Sequence, residues 1–256
     1  MSLPNFLVNP HWTPPIDFLK DRAILITGAG QGIGRATAVA CAKAGATAVL
    51  LGRTSAKLEQ VYDEIVTLGA PEPAIVPLDL AKTDQEQLRA LALSIKTTVG
   101  RMDGIVHAAT HFASTMPMES IALDAWERAA RVHLIAPAAL TQACFPLLKK
   151  SPDASVVFLS ETHAIEPRAY WGGFATAKSA LAHLVAVWAD EHAGQGPRFN
   201  LFLPGPICSP MRQKSHPGES RTDLPSAEDA AICILQLLGS AGPRITGRLA
   251  RFDPAQ

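Results

Sequence analysis

The chain has 256 residues, 48% of them hydrophobic, with 23 basic against 23 acidic side chains. That balance leaves no electrostatic footprint for nucleic acid or an anionic membrane surface, and the length suits a sizeable core and a small-molecule ligand. No apolar run reaches membrane-spanning length; the four cysteines, Cys41, Cys144, Cys208 and Cys233, lie far apart without companion histidines, so no metal is expected and a reducing, cytoplasmic setting is.

Residues 1–20, with Pro4, Pro10, Pro14 and Pro15, read as an extended arm whose Phe6, Trp12 and Phe18 pack on the domain or on a neighbouring subunit; residues 21–256 read as one domain. The arm lacks a basic start followed by a long apolar run, unlike a signal peptide. Ala23-Ile24-Leu25-Ile26 then feeds Thr27-Gly28-Ala29-Gly30-Gln31-Gly32-Ile33-Gly34 and the small-residue segment 35–44, the pattern of a strand, a glycine turn and a helix. Such a turn brings backbone N–H groups close to a ligand's phosphates, and the helix N-terminus adds partial positive charge. Taken alone, it also fits any strand-to-helix junction. A second strand, 48–51, ends at Gly52-Arg53. An acidic residue there reads the ribose 2′-hydroxyl of NAD, whereas arginine suits the 2′-phosphate of NADP. Arg53 favours NADP(H) over NAD(H), the alternative being a solvated loop charge.

The T-G-x-x-x-G-I-G spacing is similar to that of short-chain dehydrogenases/reductases, and landmarks in that family's order follow along nearly the whole chain. Asp103-Gly104-Ile105-Val106-His107 and Arg168-Ala169-Tyr170-Trp171-Gly172 resemble its YciK-like branch. The resemblance implies an α/β fold: a single doubly wound Rossmann-type domain with a mostly parallel seven-stranded sheet flanked by helices. The third strand, 74–78, leads to Asp79-Leu80, where the resemblance places a contact to the adenine amino group. Thr83 and Glu86 form a capping box for the next helix. The fourth strand, 104–109, ends in His107-Ala108-Ala109-Thr110 where the family writes Asn-Asn-Ala-Gly, so Thr110 adds a side chain where the nicotinamide ribose approaches Ala109. A long apolar helix from Asp124 toward Leu148, bent at Pro137, and a second over 172–192 pair with their counterparts in the family. A homodimer or homotetramer through the helices around 124–150 and 172–192 follows, unless their stripes are ordinary core faces. Strands at 155–160, 198–203 and 248–252 complete the set. Pro204, Gly205, Ile207 and Ser209 occupy the turn that holds the nicotinamide carboxamide in the family. Residues 211–225 read as a lid over a pocket that also uses 112–118, and Ser226 with Asp229 opens the last helix, which stops at Gly239.

The family couples hydride transfer to proton transfer at a carbonyl or alcohol oxygen through a tyrosine, a lysine four residues on, a serine and an asparagine. Phe174-Ala175-Thr176-Ala177-Lys178 keeps the lysine and replaces the tyrosine with Phe174; the serine position falls on Glu161 and the asparagine position on His133. Tyr170 and Ser160 are weaker substitutes, one preceding the helix and the other a residue out of register. Glu161, His133 and His163 can meet Lys178 in a new acid/base cluster, or Glu161 can simply pair with a buried Lys178; the second is favoured. Three functions stay open: an NADP(H)-binding homologue without the standard reductase reaction, an active oxidoreductase with relocated acid/base groups, and a structural partner subunit without nucleotide.

Overall fold

Uninterrupted apolar runs, buried on both faces, mark the central strands of a parallel sheet, and alternate residues serve opposite cores. The computed structural model describes residues 3–239 and 244–252; the predicted outer bounds at 1 and 256 lie outside them. Its strands are β1 Asn5–Val8, β2 Ala23–Thr27, β3 Thr47–Gly52, β4 Ala74–Pro77, β5 Gly104–His107, β6 Ser155–Leu159, β7 Arg198–Leu203 and β8 Arg248–Phe252. They form one all-parallel sheet in the order β1-β8-β7-β6-β5-β2-β3-β4. Seven of these were predicted. The eighth, β1, comes from the arm, which pairs Asn5 with Leu249 and Val8 with Phe252 at the sheet edge.

Helices α1 Gly32–Lys43, α2 Ser55–Thr67 and α8 Ala227–Leu238 cover one face, burying Leu58, Val61, Ile65 and Ile234 with Ile24 and Ile26. On the other face, α3 Gln85–Thr98, α5 Ala136–Leu148 and α6 Gly172–Glu191 bury Leu88, Leu140 and Val185 against Leu25 and Val49. Among the described residues no helix is long and apolar enough to cross a membrane.

Three local expectations change. The N-cap of α3 is Asp84 with Gln87 rather than Thr83 with Glu86, because Thr83 is buried and its hydroxyl donates to the Asp79 carbonyl at 2.7 Å. The long helix is α4 Leu123–Ala130, a π-helical turn Arg131–Ile135 and α5; the wide turn precedes Pro137, whose missing N–H leaves no i→i−4 bond to residue 133. Within the expected lid, residues Pro210–Ser215 form the short helix α7.

The sheet reverses direction of growth between β2 and β5, neighbours that pair Thr27 with His107. Outside their carboxyl ends lies the crevice in which open α/β sheets hold ligands.

Candidate functional site

The glycine turn forms the floor of that crevice. Gly28 has φ +70, and a Cβ there would sit 2.8 Å from Ala109 Cα; a Cβ on Gly34 would overlap the Gly28 carbonyl oxygen. Close approach of the turn to the end of β5 therefore requires glycine at 28, and close packing of α1 on the turn requires it at 34. The Thr27 hydroxyl locks the same junction by accepting the Ala109 N–H at 3.0 Å. No acidic residue occupies the first turn of α1, so its N-terminal N–H groups keep their anion-attracting character.

One continuous cleft is lined by Gly28, Gly30, Gln31, Gly32, Ile33 and Gly34, by Arg53 at the end of β3, and by Asp79 and Leu80 after β4. Ala109, Pro204, Gly205, Ile207 and Ser209 line it further along, followed by Glu161, Phe174 and Lys178. Thus the predicted binding residues share one cavity. Thr110 lines it with an exposed side chain, so the extra bulk expected at that point is present. The Ser209 hydroxyl caps α7, accepting the Arg212 N–H at 3.2 Å. Asp79 is held by the Ala81 N–H at 3.0 Å.

At the far end, Lys178 is buried, and its ammonium donates to the Leu159 carbonyl at 2.6 Å. Desolvation pulls its pKa down to about 8, opposed by the charge of Glu161. Glu161 is pushed the other way: burial raises its pKa against the His163 and Ala164 N–H groups and Lys178. The favoured Glu161–Lys178 ion pair does not form: Lys178 is spent on a backbone carbonyl, and Glu161 Oε1 is buried with no hydrogen-bond partner.

Phe174 is buried in an aromatic wall with Phe112, Trp171 and Met211, its ring 5.4 Å from Phe112 and 5.0 Å from His133. Lys178 Nζ stands 5.7 Å from its centroid. His133 sits behind Phe174, not on the cleft lining, with Nε2 3.0 Å from the His111 carbonyl and Nδ1 unpartnered. Desolvation, helped by Lys178, lowers its pKa to about 3. His163 lines the cleft, its ring 4.4 Å from Trp171. The proposed cluster is therefore split: Glu161, His163 and Lys178 share the cavity while His133 is shielded. Ser160 reaches the lining but its buried hydroxyl finds no partner, and Tyr170 is 59% exposed ahead of α6, not on the lining.

Sequence reasoning missed Lys57, Arg128 and Arg212, three cations on the lining. Lys57 donates to Gln31 Oε1 at 2.5 Å, and a Cβ on Gly30 would lie 2.9 Å from Lys57 Cβ. Its position four residues past Arg53, in the first turn of α2, is the only signal that was available.

A family profile described as short chain dehydrogenase matches residues 22–220. The "Uncharacterized oxidoreductase YciK" of Escherichia coli (strain K12) is 37% identical over 246 residues, 96% of this chain and 97% of that protein. A short chain dehydrogenase from Escherichia coli CFT073, solved in complex with NADPH, superposes with a TM-score of 0.90 at 36% identity, covering 94% of this chain and 100% of that one. Its counterpart from Shigella flexneri 2a str. 301, complexed with NADP, gives 0.89 at 35% identity over 93% and 99% of the two chains.

Proposed function

As the chain belongs to the short-chain dehydrogenase family, an oxidoreductase family, we propose that its cleft binds NADP(H) in preference to NAD(H) and that the family's phenol-based carbonyl and alcohol chemistry has been lost. The cradle at Gly28 and Gly34, which a Cβ would fill, fits a pyrophosphate, and Arg53 after β3 with Lys57 in the first turn of α2 suits a 2′-phosphate. Asp79 would hold the adenine amino group and Ser209 the carboxamide. When bound, the nicotinamide supplies or accepts a hydride. NADP and NADPH in the two structural relatives support this assignment.

The observation that carries the loss is the Phe174 ring in the cleft wall beside Lys178. A phenyl group has no ionisable proton, and general acid/base catalysis contributes about 10²–10⁴-fold in rate. Glu161 and His133 at the other two positions remove the remaining hydroxyl and amide. A homodimer or homotetramer through α4, α5 and α6 belongs to the same proposal, supported by the exposed Leu123, Ile135 and Val187; the small molecule served would be a carbonyl or alcohol only if activity survives.

Calorimetric titration with NADPH and NADH, alongside a panel of ketones, aldehydes and alcohols, tests this. NADPH should bind more tightly, Arg53→Ala should weaken it by roughly tenfold or more through loss of a charge-assisted contact, and the panel should give no turnover. Tyrosine, serine and asparagine introduced together at 174, 161 and 133 should yield carbonyl reduction. Failure to bind either nucleotide at millimolar concentration ends the cofactor claim; wild-type ketone reduction abolished by Glu161→Gln ends the claim of loss.

A further inference from the structure

We propose that the part of the cleft lined by Glu161, Trp171 and Phe174 takes an organic cation containing a C=N bond, an iminium ion, in place of a neutral carbonyl compound. Its chemical step rests on the NADP(H) reading above; its binding step does not.

A ketone accepting a hydride must gain a proton on oxygen, and the groups at the family's phenol and amide positions supply none: Phe174 has no ionisable proton, and His133 is neutral and shielded behind its ring. An iminium nitrogen already carries its substituent or proton, so reduction needs no acid. Charge points the same way. Glu161 Oε1 is buried and unpartnered, Lys178 is committed to the Leu159 carbonyl, and Arg212 is bound through two nitrogens to Glu219 at 2.6 and 2.5 Å. One oxygen of the carboxyl is thus left buried without a hydrogen-bond partner, and a bound cation would relieve its desolvation. Finally, Trp171 on the lining, packed 5.4 Å from Phe112, offers an aromatic face to a cation, and Lys178 beside Phe174 already realises such a contact here.

The reaction balances without a further reagent. The hydride and its electron pair leave NADPH and form a C–H bond at the iminium carbon, the C=N π pair becomes the nitrogen lone pair, and the dihydropyridine is oxidised to the pyridinium of NADP. The amine is neutral as it forms and takes up a proton from solvent afterwards.

The full-length protein would be titrated with N-methyl-3,4-dihydroisoquinolinium, whose charge is independent of pH, and with the neutral bicyclic ketone 1-tetralone, following tryptophan fluorescence without nucleotide. NADPH consumption would then be followed with each. The cation should bind at least about tenfold more tightly than the ketone, the margin expected of a partly desolvated charge and ring contact. Glu161→Gln should erase the margin, Glu161→Asp should keep part of it, and NADPH affinity should be unchanged in both. Trp171→Leu supplies a second variant should Glu161→Gln fail to fold, and it too should weaken the cation. NADPH oxidation by the iminium and not by tetralone completes the expected result. Equal binding of cation and ketone, or a margin that survives Glu161→Gln, overturns the proposal; so does bound NADPH beside a bound iminium without turnover. A retained cation preference with no NADPH binding would instead sink the nucleotide reading while upholding the cation site.

Discussion

Burial keeps His107 and His133 neutral, each with an Nδ1 that finds no hydrogen-bond partner among the described residues. Nε2 of His107 sits 2.8 Å from the Thr141 hydroxyl, and its ring stacks 4.6 Å from Phe158. Desolvation lowers both pKa values from 6.5 to about 3. Their folded forms therefore bind fewer protons than the unfolded chain between those limits. Stability is complete above the unfolded value of 6.5 and declines on acidification toward 3. The slope should be about 1.4 kcal/mol per pH unit for each histidine. Urea unfolding at a series of pH values would measure it, and His107→Gln with His133→Asn should flatten the profile. The identities of these residues, and of Phe174, Glu161 and Lys178, were legible because the resemblance to short-chain dehydrogenases/reductases places that family's motif positions on them. Their pairings were not: whether Lys178 meets a carboxylate or a carbonyl depends on where the loop after β6 turns, which local pattern does not encode.

Elements were read well where caps are local. Ser226 with Asp229 starts α8, Gly172 starts α6, and Gly239 ends α8, as expected. The α3 cap moved by one residue because tertiary burial claims Thr83, and the widened turn before Pro137 depends on how α4 and α5 meet the sheet. One anchor between elements had no sequence signal. Arg198, at the start of β7 and 2% exposed, donates to the carbonyls of Leu237, Leu238 and Gly239 at the end of α8 and pairs with Asp153 at 2.8 Å. The guanidinium satisfies carbonyls that the helix leaves open and meets the negative end of its dipole. Arg198→Met should cost about 1–3 kcal/mol through the buried carbonyls it leaves unpaired, since Asp153 is partly exposed and keeps Arg22. Chemical denaturation reads this directly, and Arg198→Lys should recover only part of it because one ammonium cannot reach all four acceptors.

At the scale of the molecule, the alternation of strand and helix made seven parallel strands and two helical layers readable. The eighth strand escaped because it is four residues long, lies among prolines, and finds its partner at the opposite end of the chain. It buries Val8 completely, and Asn9 bonds with Gln236 of α8 on both sides of the amide. Removing residues 3–9 should lower unfolding stability by at least about 2 kcal/mol from lost apolar burial and bare the edge of β8, so gel filtration should show self-association. Because β8 is, among the described residues, the sole sheet neighbour of β1, residues 5–8 have no strand to settle on until residues 248–252 have been synthesised. Stalled nascent chains lacking residues 248–252 should therefore remain open to protease around residues 5–8, however complete the intervening sheet has become.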